Sequence, residues 1–312
     1  MARPKDYLAG VGYASIFGLS FLVTKGSLAV LAPFELLFLR FALAALLLSA
    51  LALGGVIKLD FRGKPLANLV LACLFQPFLY FICETFGIQD SASSTAGLVI
   101  GALPAVATIL GALMLGEAVG AVQAAFLGLS IVGVAVIALF GGGAGGGGGS
   151  LAGFLFLLGA VASAAFYNIF SRRSSRSYSP IETTFAMMWS GAILFGLLAF
   201  LNIGGSGYRP HLASRALEAA PGILYLGALS SVLAFFFINF TLSRLRVSQS
   251  IVFSNLTTVI SVAAGVALRG ENFGVAQLAG SLAIVAGVWG TNAFAAKSGT
   301  RAQRGSPSID GA

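Results

Sequence analysis

The chain has 312 residues, of which 58% are hydrophobic and only 9% are charged. Soluble domains carry about 25% charged residues, so this composition excludes an ordinary soluble protein and indicates an integral membrane protein. The formal net charge is +8, but the basic residues follow the ends of apolar segments. That placement indicates membrane orientation, and no nucleic-acid partner is expected.

Ten continuous apolar segments predict ten membrane-spanning helices, since about 20 apolar residues span a bilayer as a helix. Strands of a barrel would alternate in polarity instead. The expected fold is therefore all-α, with ten transmembrane helices in contact with the lipid bilayer. The predicted helices are Tyr7–Thr24, Phe34–Val56, Leu66–Phe86, Ser93–Leu115, Ala121–Phe140, Leu151–Ser171, Ile181–Leu201, Pro221–Thr241, Ser248–Leu268 and Val275–Ala295.

The basic residues outside these helices are distributed unequally between the two sides of the membrane. Four fall on one side: Lys25, Arg209, Arg215 and Arg269. Thirteen fall on the other: Arg3, Lys5, Lys58, Arg62, Lys64, Arg172, Arg173, Arg176, Arg244, Arg246, Lys297, Arg301 and Arg304. Cytoplasmic loops are enriched in Lys and Arg, so the richer side is predicted to be cytoplasmic, with both termini on it.

The chain contains an internal repeat. Phe81–Val134 resembles Phe235–Val288 at a constant shift of 154 positions, and within it Gly116-Glu117-x-x-Gly120-x-x-Gln123 falls on Gly270-Glu271-x-x-Gly274-x-x-Gln277. A polar pattern in register predicts two related halves of five helices each. An odd number of crossings makes the second half enter from the opposite face, so the repeats are expected to be inverted.

The repeat also predicts the domain boundaries. Residues 1–140 form the first five-helix repeat and residues 151–296 the second. Residues 141–150 are nearly all glycine and predict a flexible external linker, because the phosphate-binding pattern GxxxxGK[ST] is absent from the chain. The polar residues 297–312 predict a disordered cytoplasmic tail.

Polar side chains inside the predicted helices indicate a site, since each must find a partner or water. They form stripes at helical spacing in several helices, and we infer that these stripes line a central, partly wet cavity for a small-molecule substrate. For a single Ser or Thr, the alternative is a hydrogen bond to its own helix. The expected substrate-binding residues are Phe17, Ser20, Gln76, Tyr80, Gly97, Ser163, Tyr167, Asn168, Phe237, Ser254 and Thr257.

Two charged residues, Arg40 and Glu84, lie within predicted helices, where a lone buried charge is costly. We expect them to pair and to close or line the outer mouth of the cavity, as a gate or coupling pair. Glu84 is the expected carrier if transport is coupled to protons. A purely structural ion pair and facilitated diffusion are the alternatives.

The sequence offers little for catalysis. Its single His, His211, falls in a predicted external loop, and no metal-binding cluster or Walker A motif is present. Neither an enzyme activity nor a cofactor or metal is expected.

Four local patterns recur at characteristic places in the chain: Phe17-Gly18-x-Ser20-Phe21, Pro33 followed by Arg40, Gly116-Glu117 and Gly270-Glu271. These patterns resemble those of the drug/metabolite transporter superfamily, in particular its EamA-type members. The resemblance covers about residues 7–296. In the second half, Met187 follows Pro180 at the position that corresponds to Arg40.

Within that superfamily the chain looks like bacterial aromatic amino acid exporters. The resemblance implies a secondary transporter of the bacterial cytoplasmic (inner) membrane that exports neutral or aromatic amino acids by alternating access, with a monomer sufficient for transport. One alternative is a sugar-phosphate or nucleotide-sugar exchanger, which would want more cavity-facing basic residues than Arg40 and Lys25. The other is a membrane assembly protein that transports nothing.

Overall fold

The computed structural model describes residues 4–115, 119–140, 150–201, 212–245, 253–271 and 273–304. Within these ranges the chain forms ten long helices and one short helix, Leu212–Glu218, so the prediction of an all-α fold is confirmed. The long helices are α1 (Pro4–Ser27), α2 (Pro33–Leu53), α3 (Ala67–Gln89), α4 (Ser93–Ile100 and Leu103–Leu115), α5 (Ala121–Phe140), α6 (Leu151–Ser174), α7 (Pro180–Phe200), α8 (Ala220–Arg244), α9 (Phe253–Arg269) and α10 (Val275–Arg304).

Apolar length decides which helices can cross a membrane. Among the described residues, seven helices are long and apolar enough to do so: α1, α2, α3, α4, α6, α7 and α8. Three further apolar stretches are shorter: Ala121–Ile137, Phe253–Arg269 and Val275–Thr291. They belong to α5, α9 and α10, so all ten predicted spans have a helical counterpart.

Most helix ends lie within a few residues of their predicted positions. The predicted start of the ninth helix, Ser248, lies outside the described residues, and the described part of α9 runs from Phe253. The tenth helix was predicted to end at Ala295, whereas α10 continues to Arg304, into the predicted tail. Once a helix is formed, each added residue gains one hydrogen bond, which favours continuation. Residues 305–312, 141–149 and the Gly116-Glu117 pair also lie outside the described residues.

Contacts at the helix ends establish the direction of each repeat. Lys25, at the end of α1, donates from Nζ to the carbonyls of Ile88 (2.9 Å) and Gln89 (2.8 Å) at the end of α3. Ser150, just before α6, donates its backbone N–H to the Asp90 carbonyl (3.2 Å). Thus α1 ends where α6 begins, and the repeats are inverted. We call the side where α1 begins the first face and the opposite side the second face.

Helix packing follows a pseudo-twofold axis that exchanges the repeats. Each of the helices α2, α4 and α5 packs against its own counterpart, α7, α9 and α10. The contact of α1 with α8 is matched by that of α6 with α3. The first two helices of each repeat align at a shift of 147 positions, which places Pro33 on Pro180. The two repeats therefore make equivalent inter-helix contacts, which the pseudo-twofold axis relates to each other.

A basic residue caps corresponding helices in the two repeats. Arg172, near the end of α6, donates from one guanidinium nitrogen to the carbonyls of Leu242 (2.7 Å) and Ser243 (2.8 Å) at the end of α8. Those carbonyls correspond to the two that Lys25 caps on α3. A cation at a helix C-terminus satisfies free carbonyls and complements the helix dipole.

Among the described residues, two ion pairs join the repeats, one on each face. On the second face, Glu35 of α2 pairs with Arg215 of the short helix (2.7 Å and 2.9 Å). On the first face, Glu182 of α7 pairs with Lys64, which lies between α2 and α3 (2.9 Å). Both glutamates also accept a backbone N–H at the start of their own helix. We call these pairs the second-face clamp and the first-face clamp.

The helices α3 and α8 are irregular at corresponding positions. Each contains a π-helical segment, Leu74–Leu79 in α3 and Tyr225–Ala234 in α8. In α3 the backbone of Gln76 is extended (φ −151°, ψ 117°), and the next residue is Pro77, which has no N–H to donate. Interruptions at matching points of two repeats, and π-helical turns in general, are typical of binding sites.

Candidate functional site

Four aromatic rings meet at the centre of the molecule. Phe81 of α3 and Phe235 of α8 correspond in the repeat, and their ring centroids lie 5.9 Å apart. The pseudo-twofold axis therefore passes between them. Phe17 of α1 (5.3 Å) and Tyr167 of α6 (6.4 Å) also contact the Phe235 ring. These rings make the centre apolar, and both members of the helix pairs α1/α6 and α3/α8 contribute to it.

The guanidinium of Arg40 lies against this aromatic centre. It is 1% exposed and sits 4.4 Å from the centroid of the Phe81 ring, which is the geometry of a cation–π contact. Its Nε donates to Ser231 Oγ (3.2 Å) and one terminal nitrogen donates to Ser230 Oγ (3.1 Å). Both serines belong to the π-helical segment of α8. The irregular segment thus supplies the acceptors that a buried guanidinium requires.

Glu84 is the second buried charged group at this level. It is 3% exposed, and Tyr80, one turn earlier in α3, donates its hydroxyl to Glu84 Oε1 (3.3 Å). Its Oε2 is buried and has no hydrogen-bond partner within the described part of the chain. The carboxylate is close enough to Arg40 for a Coulombic interaction.

The expected direct pair between Arg40 and Glu84 is not formed. The ion pairs that the described residues make at 4 Å or less are the two clamps. Two of the three guanidinium nitrogens of Arg40 donate instead to the serine hydroxyls of α8. Arg40 and Glu84 are therefore two separate buried poles of opposite charge.

A neutral network lies on the first-face side of the aromatic centre. Tyr167 donates its hydroxyl to Asn239 Oδ1 (2.9 Å), and Ser171 donates to the same oxygen (2.8 Å). Asn239 in turn donates from Nδ2 to Thr184 Oγ1 (3.0 Å). The network joins α6, α7 and α8. Asn239 was not among the predicted site residues, although a buried amide in an apolar helix was a signal that could have found it.

The aromatic centre thus separates a charged layer from a neutral layer. Arg40, Glu84 and Tyr80 form the charged layer towards the second face, and the Asn239 network forms the neutral layer towards the first. Arg40, Tyr167 and Phe235 are each at most 1% exposed. The structure is therefore closed around the point where the sequence predicted a wet cavity.

Phe237 was expected to line the central cavity, but the residue of α8 that lies at the aromatic centre is Phe235. Phe237 packs against Gly12 of α1 instead. The expectation assumed a regular α-helix, in which Ser230 and Phe237 share a face. In the π-helical segment the hydrogen bonds run five residues along the chain, so the face that carries Ser230 continues at Phe235.

The polar stripe of α9 serves helix packing in this conformation. Thr258 donates to the Gly97 carbonyl of α4 (3.0 Å), and Gly97 itself packs closely against α9. Thr257 donates to the Phe253 carbonyl of its own helix (3.4 Å). Ser254 is buried, and its Oγ has no hydrogen-bond partner among the described residues. Thr258 and Gly97 therefore lie in the α4–α9 contact, whereas Thr257 lies where α9 approaches Gly18 of α1.

The other expected residues are buried near the irregular or polar parts of their helices. Gln76 lies within the π-helical segment of α3. Ser20 donates to the Phe17 carbonyl (2.8 Å), which is a hydrogen bond within α1. Ser163 and Asn168 are buried in α6, on either side of Tyr167 in the chain.

Comparison with known proteins gives consistent matches over nearly the whole chain. Residues 5–139 and 151–293 each match the EamA-like transporter family. The chain is 32% identical over 288 residues to the uncharacterized transporter YcxC of Bacillus subtilis, covering 92% of each chain. It is 28% identical to a probable amino-acid metabolite efflux pump of Salmonella typhimurium, covering 93% of this chain and 95% of that one.

A solved crystal structure has the same fold. It superposes with a TM-score of 0.68 at 20% sequence identity, covering 95% of this chain and 98% of the other. The inverted repeats, the irregular helices at the centre and two family matches that together span the helices lead to one conclusion. This multi-pass membrane protein is a transporter, not an enzyme, and belongs to the EamA-like transporter family.

Proposed function

We propose that this transporter exports small zwitterionic metabolites, with neutral or aromatic amino acids as the substrate class. The observation that carries the proposal is the pair of buried charges, Arg40 and Glu84, beside four aromatic rings. Each charge is desolvated and lacks a direct ionic partner among the described residues. A zwitterion could compensate both at once, because it carries one group of each sign.

The groups of an amino acid match this arrangement. The carboxylate would bind the guanidinium of Arg40, which forms strong charge-assisted hydrogen bonds to planar anions. The ammonium group would bind Glu84 at Oε2, the buried oxygen without a partner. The side chain would lie among Phe17, Phe81 and Phe235, where an aromatic ring gains most from edge-to-face contacts.

Alternating access would make use of the inverted architecture. One repeat would rock against the other around the aromatic centre, so that the charged layer opens to the second face and the neutral layer to the first. In an open state α9 would separate from α4. Gly97, Ser254 and Thr257 would then contribute to the cavity as the sequence predicts.

Relatives support amino acids as the class. The similar proteins of Salmonella typhimurium and Escherichia coli are described as probable amino-acid metabolite efflux pumps. A protein of Streptantibioticus cattleyicolor, 26% identical over 227 residues and covering 73% of each chain, is described as a probable terminal-alkyne amino-acid exporter. These names suggest the substrate class for this chain and do not select one amino acid.

The distribution of basic residues supports an orientation in the membrane. The first face, rich in Lys and Arg, would be the cytoplasmic side of a bacterial inner membrane, with both termini on it. Substrate would enter through the neutral layer and leave through the charged layer. One chain holds both repeats, so a monomer would suffice. Glu84 would carry the proton if transport is coupled to protons.

The test is release from proteoliposomes loaded with phenylalanine, phenylalanine amide or 3-phenylpropionate. The amide lacks the carboxylate and the propionate lacks the ammonium group, so only the amino acid satisfies both poles. We expect protein-dependent release, measured above that from protein-free liposomes, for phenylalanine alone. It should be abolished in Arg40→Gln and Glu84→Gln and unchanged in Lys58→Gln, where an exposed charge on the first face is removed.

An imposed pH gradient separates the coupling modes. Release from the wild type that depends on the gradient would identify proton exchange, and gradient-independent release would identify a facilitator. Equal release of the amide and the amino acid would contradict the role of Arg40. Absence of release for a panel of amino acids, from protein shown to be folded, would overturn the proposed class.

A further inference from the structure

A basic pocket opens on the first face, where α6 and α8 end. Its volume is about 240 Å³, and its lining consists of three arginines and two serines: Arg172, Arg173, Ser175, Arg176 and Ser243. None of these lining residues is acidic. The pocket lies outside the central site and plays no part in the proposed substrate path.

The fold itself accounts for only one of the three arginines. Arg172 caps the last carbonyls of α8, as Lys25 caps those of α3 on the second face. At the shift of 147 positions, Arg173 and Arg176 fall on Gly26 and Ala29. The second face is built without these two charges, so the architecture does not require them.

The charges of the pocket are not compensated within the described part of the chain. Its ion pairs at 4 Å or less are Glu35–Arg215 and Lys64–Glu182, and neither involves the pocket. Arg173 and Arg176 are exposed, with the Arg173 guanidinium 5.7 Å from the Phe170 ring. Ser175 and Ser243 donate their hydroxyls to carbonyls of their own helices. The guanidinium groups are therefore the lining groups that can bind a ligand. Because they are positively charged, the ligand they favour is an anion.

We propose that this pocket binds a phosphate group, supplied by the headgroup of an anionic phospholipid. Guanidinium groups bind phosphate oxygens in bidentate fashion. Basic pockets at the ends of membrane helices lie at the depth of lipid headgroups and recognise anionic lipids. Free inorganic phosphate has the same chemistry, and the experiment distinguishes the two sources.

The experiment measures the melting temperature of the purified full chain in dodecyl maltoside micelles. Phosphatidylglycerol, phosphatidylcholine or inorganic phosphate is added at constant ionic strength. We compare wild type with Arg173→Gln/Arg176→Gln, which leaves the capping Arg172 intact. Lys58→Gln/Arg62→Gln is the control, because it removes the same charge from exposed positions of the same face.

Phosphatidylglycerol should raise the melting temperature of wild type and control by about 3 °C, and that of the pocket variant by less than half as much. Stabilisation by inorganic phosphate that is lost in the pocket variant would support the site and assign it to free phosphate. Equal stabilisation of the pocket variant, or an equal effect of phosphatidylcholine, would overturn the proposal. If the double variant does not fold, Arg176→Gln alone repeats the test.

Discussion

Arg40 and Met187 occupy equivalent positions in the two repeats, and the difference between them makes the two sides of the centre chemically different. Arg40 donates to Ser230 and Ser231, whereas the sulfur of Met187 accepts from Asn239 Nδ2 (3.7 Å). A symmetric backbone thus carries a charged layer on one side and a neutral layer on the other. A zwitterion would be held in one orientation, because only one layer offers charges to its termini.

Phe235 and Phe237 form a matched pair for testing the centre. We expect Phe235→Leu to raise the KM for phenylalanine about tenfold, which is about 1.4 kcal/mol, because the ring contacts with Phe17, Phe81 and Tyr167 are lost. Phe237→Leu should stay within about twofold of wild type, since that ring packs on α1. Transport assays in proteoliposomes measure both, and the reverse ranking would place the substrate elsewhere.

Glu271 gives the stability a predictable pH dependence. Its carboxylate accepts the N–H groups of Ser93 and Ser94 at the start of α4, and the Ser93 hydroxyl. Partial burial raises the pKa of Glu271, but the hydrogen bonds from Ser93 and Ser94 outweigh burial and leave the pKa below its usual value.

A lowered folded-state pKa means that Glu271 stabilises the fold fully above its unfolded pKa of about 4.3, and that this stability is lost as the pH falls through the folded pKa. Glu271→Ala should therefore lower the free energy of unfolding by about 1–2 kcal/mol at pH 7. Thermal unfolding should show the difference between the variant and wild type shrinking below about pH 4. A constant difference down to pH 3 would contradict the cap.

The sequence was a better guide to which residues belong to the centre than to which residues each of them contacts. Arg40, Glu84, Tyr80, Phe17 and Tyr167 were found because charged, polar and aromatic groups stand out in apolar helices. Their partners were harder to find, because they depend on helix rotation. The pair of Arg40 with the two serines of α8 joins positions about 190 residues apart, and no local pattern encodes it.

At the scale of elements, α5 and α10 show how close packing replaces hydrophobic association in a membrane. Gly133 of α5 and Gly280 of α10 approach so closely that a Cβ on Gly133 would lie 2.6 Å from the Gly280 carbonyl oxygen. Small residues permit such contact between backbones, where packing drives helix association in lipid. Gly128, also on α5, has open space around it among the described residues.

Replacing these glycines by leucine should therefore change stability with opposite signs. Gly133→Leu should lower the free energy of unfolding by about 2–3 kcal/mol, because the helices must separate. Gly128→Leu should raise it by about 0.5–1 kcal/mol, since leucine favours the helix and meets nothing. Unfolding in mixed micelles of dodecyl maltoside and sodium dodecyl sulfate measures both, and equal destabilisation would refute the α5–α10 contact.

The elements themselves were predictable where hydrophobicity alone decides them. Ten apolar runs predicted ten helices, and the 154-residue repeat predicted two related halves in inverted orientation. The π-helical segment of α8 was not predictable, because its sequence YLGALSSVLA contains no proline to mark it. Pro77 did indicate the matching irregularity in α3. Because nothing in the sequence marks the π-helical segment of α8, the prediction chose Phe237 where the structure has Phe235 at the centre.

At the scale of the whole molecule, the two clamps hold the repeats together at opposite faces. Glu35 and Lys64 belong to the first repeat, whereas Arg215 and Glu182 belong to the second. Both clamps are formed in this closed structure. An opening at one face that separates the repeats there would break the clamp of that face and leave the other intact. The relative strengths of the two clamps would then set the relative populations of the two open states.

Removing one clamp should therefore open one face. Glu182→Gln removes the charge that binds Lys64, while glutamine still serves as the capping residue at the third position of α7. Such a half-buried pair contributes about 0.5–1 kcal/mol, which shifts the population of the open state about two- to fivefold. Glu35→Gln is the equivalent change on the second face.

Two buried serines can report the opening of each face. Ser174 (2% exposed) ends α6 on the first face, and Ser27 (6% exposed) ends α1 on the second. They correspond at the shift of 147 positions. Each would be replaced by cysteine in a chain whose Cys73 and Cys83 are alanine, and labelled with a polar maleimide in detergent.

In the Ser174→Cys chain, Glu182→Gln should speed labelling about two- to fivefold, while Glu35→Gln leaves it unchanged. The Ser27→Cys chain should respond in the opposite way. The reason is geometric: Tyr178, one turn beyond Ser174, donates its hydroxyl to the Lys64 carbonyl (3.4 Å), so the reporter and the first-face clamp share one patch. If both variants speed labelling at both positions, the clamps support the whole fold and do not control which face opens. Separate responses would show that each face is held by its own charge pair.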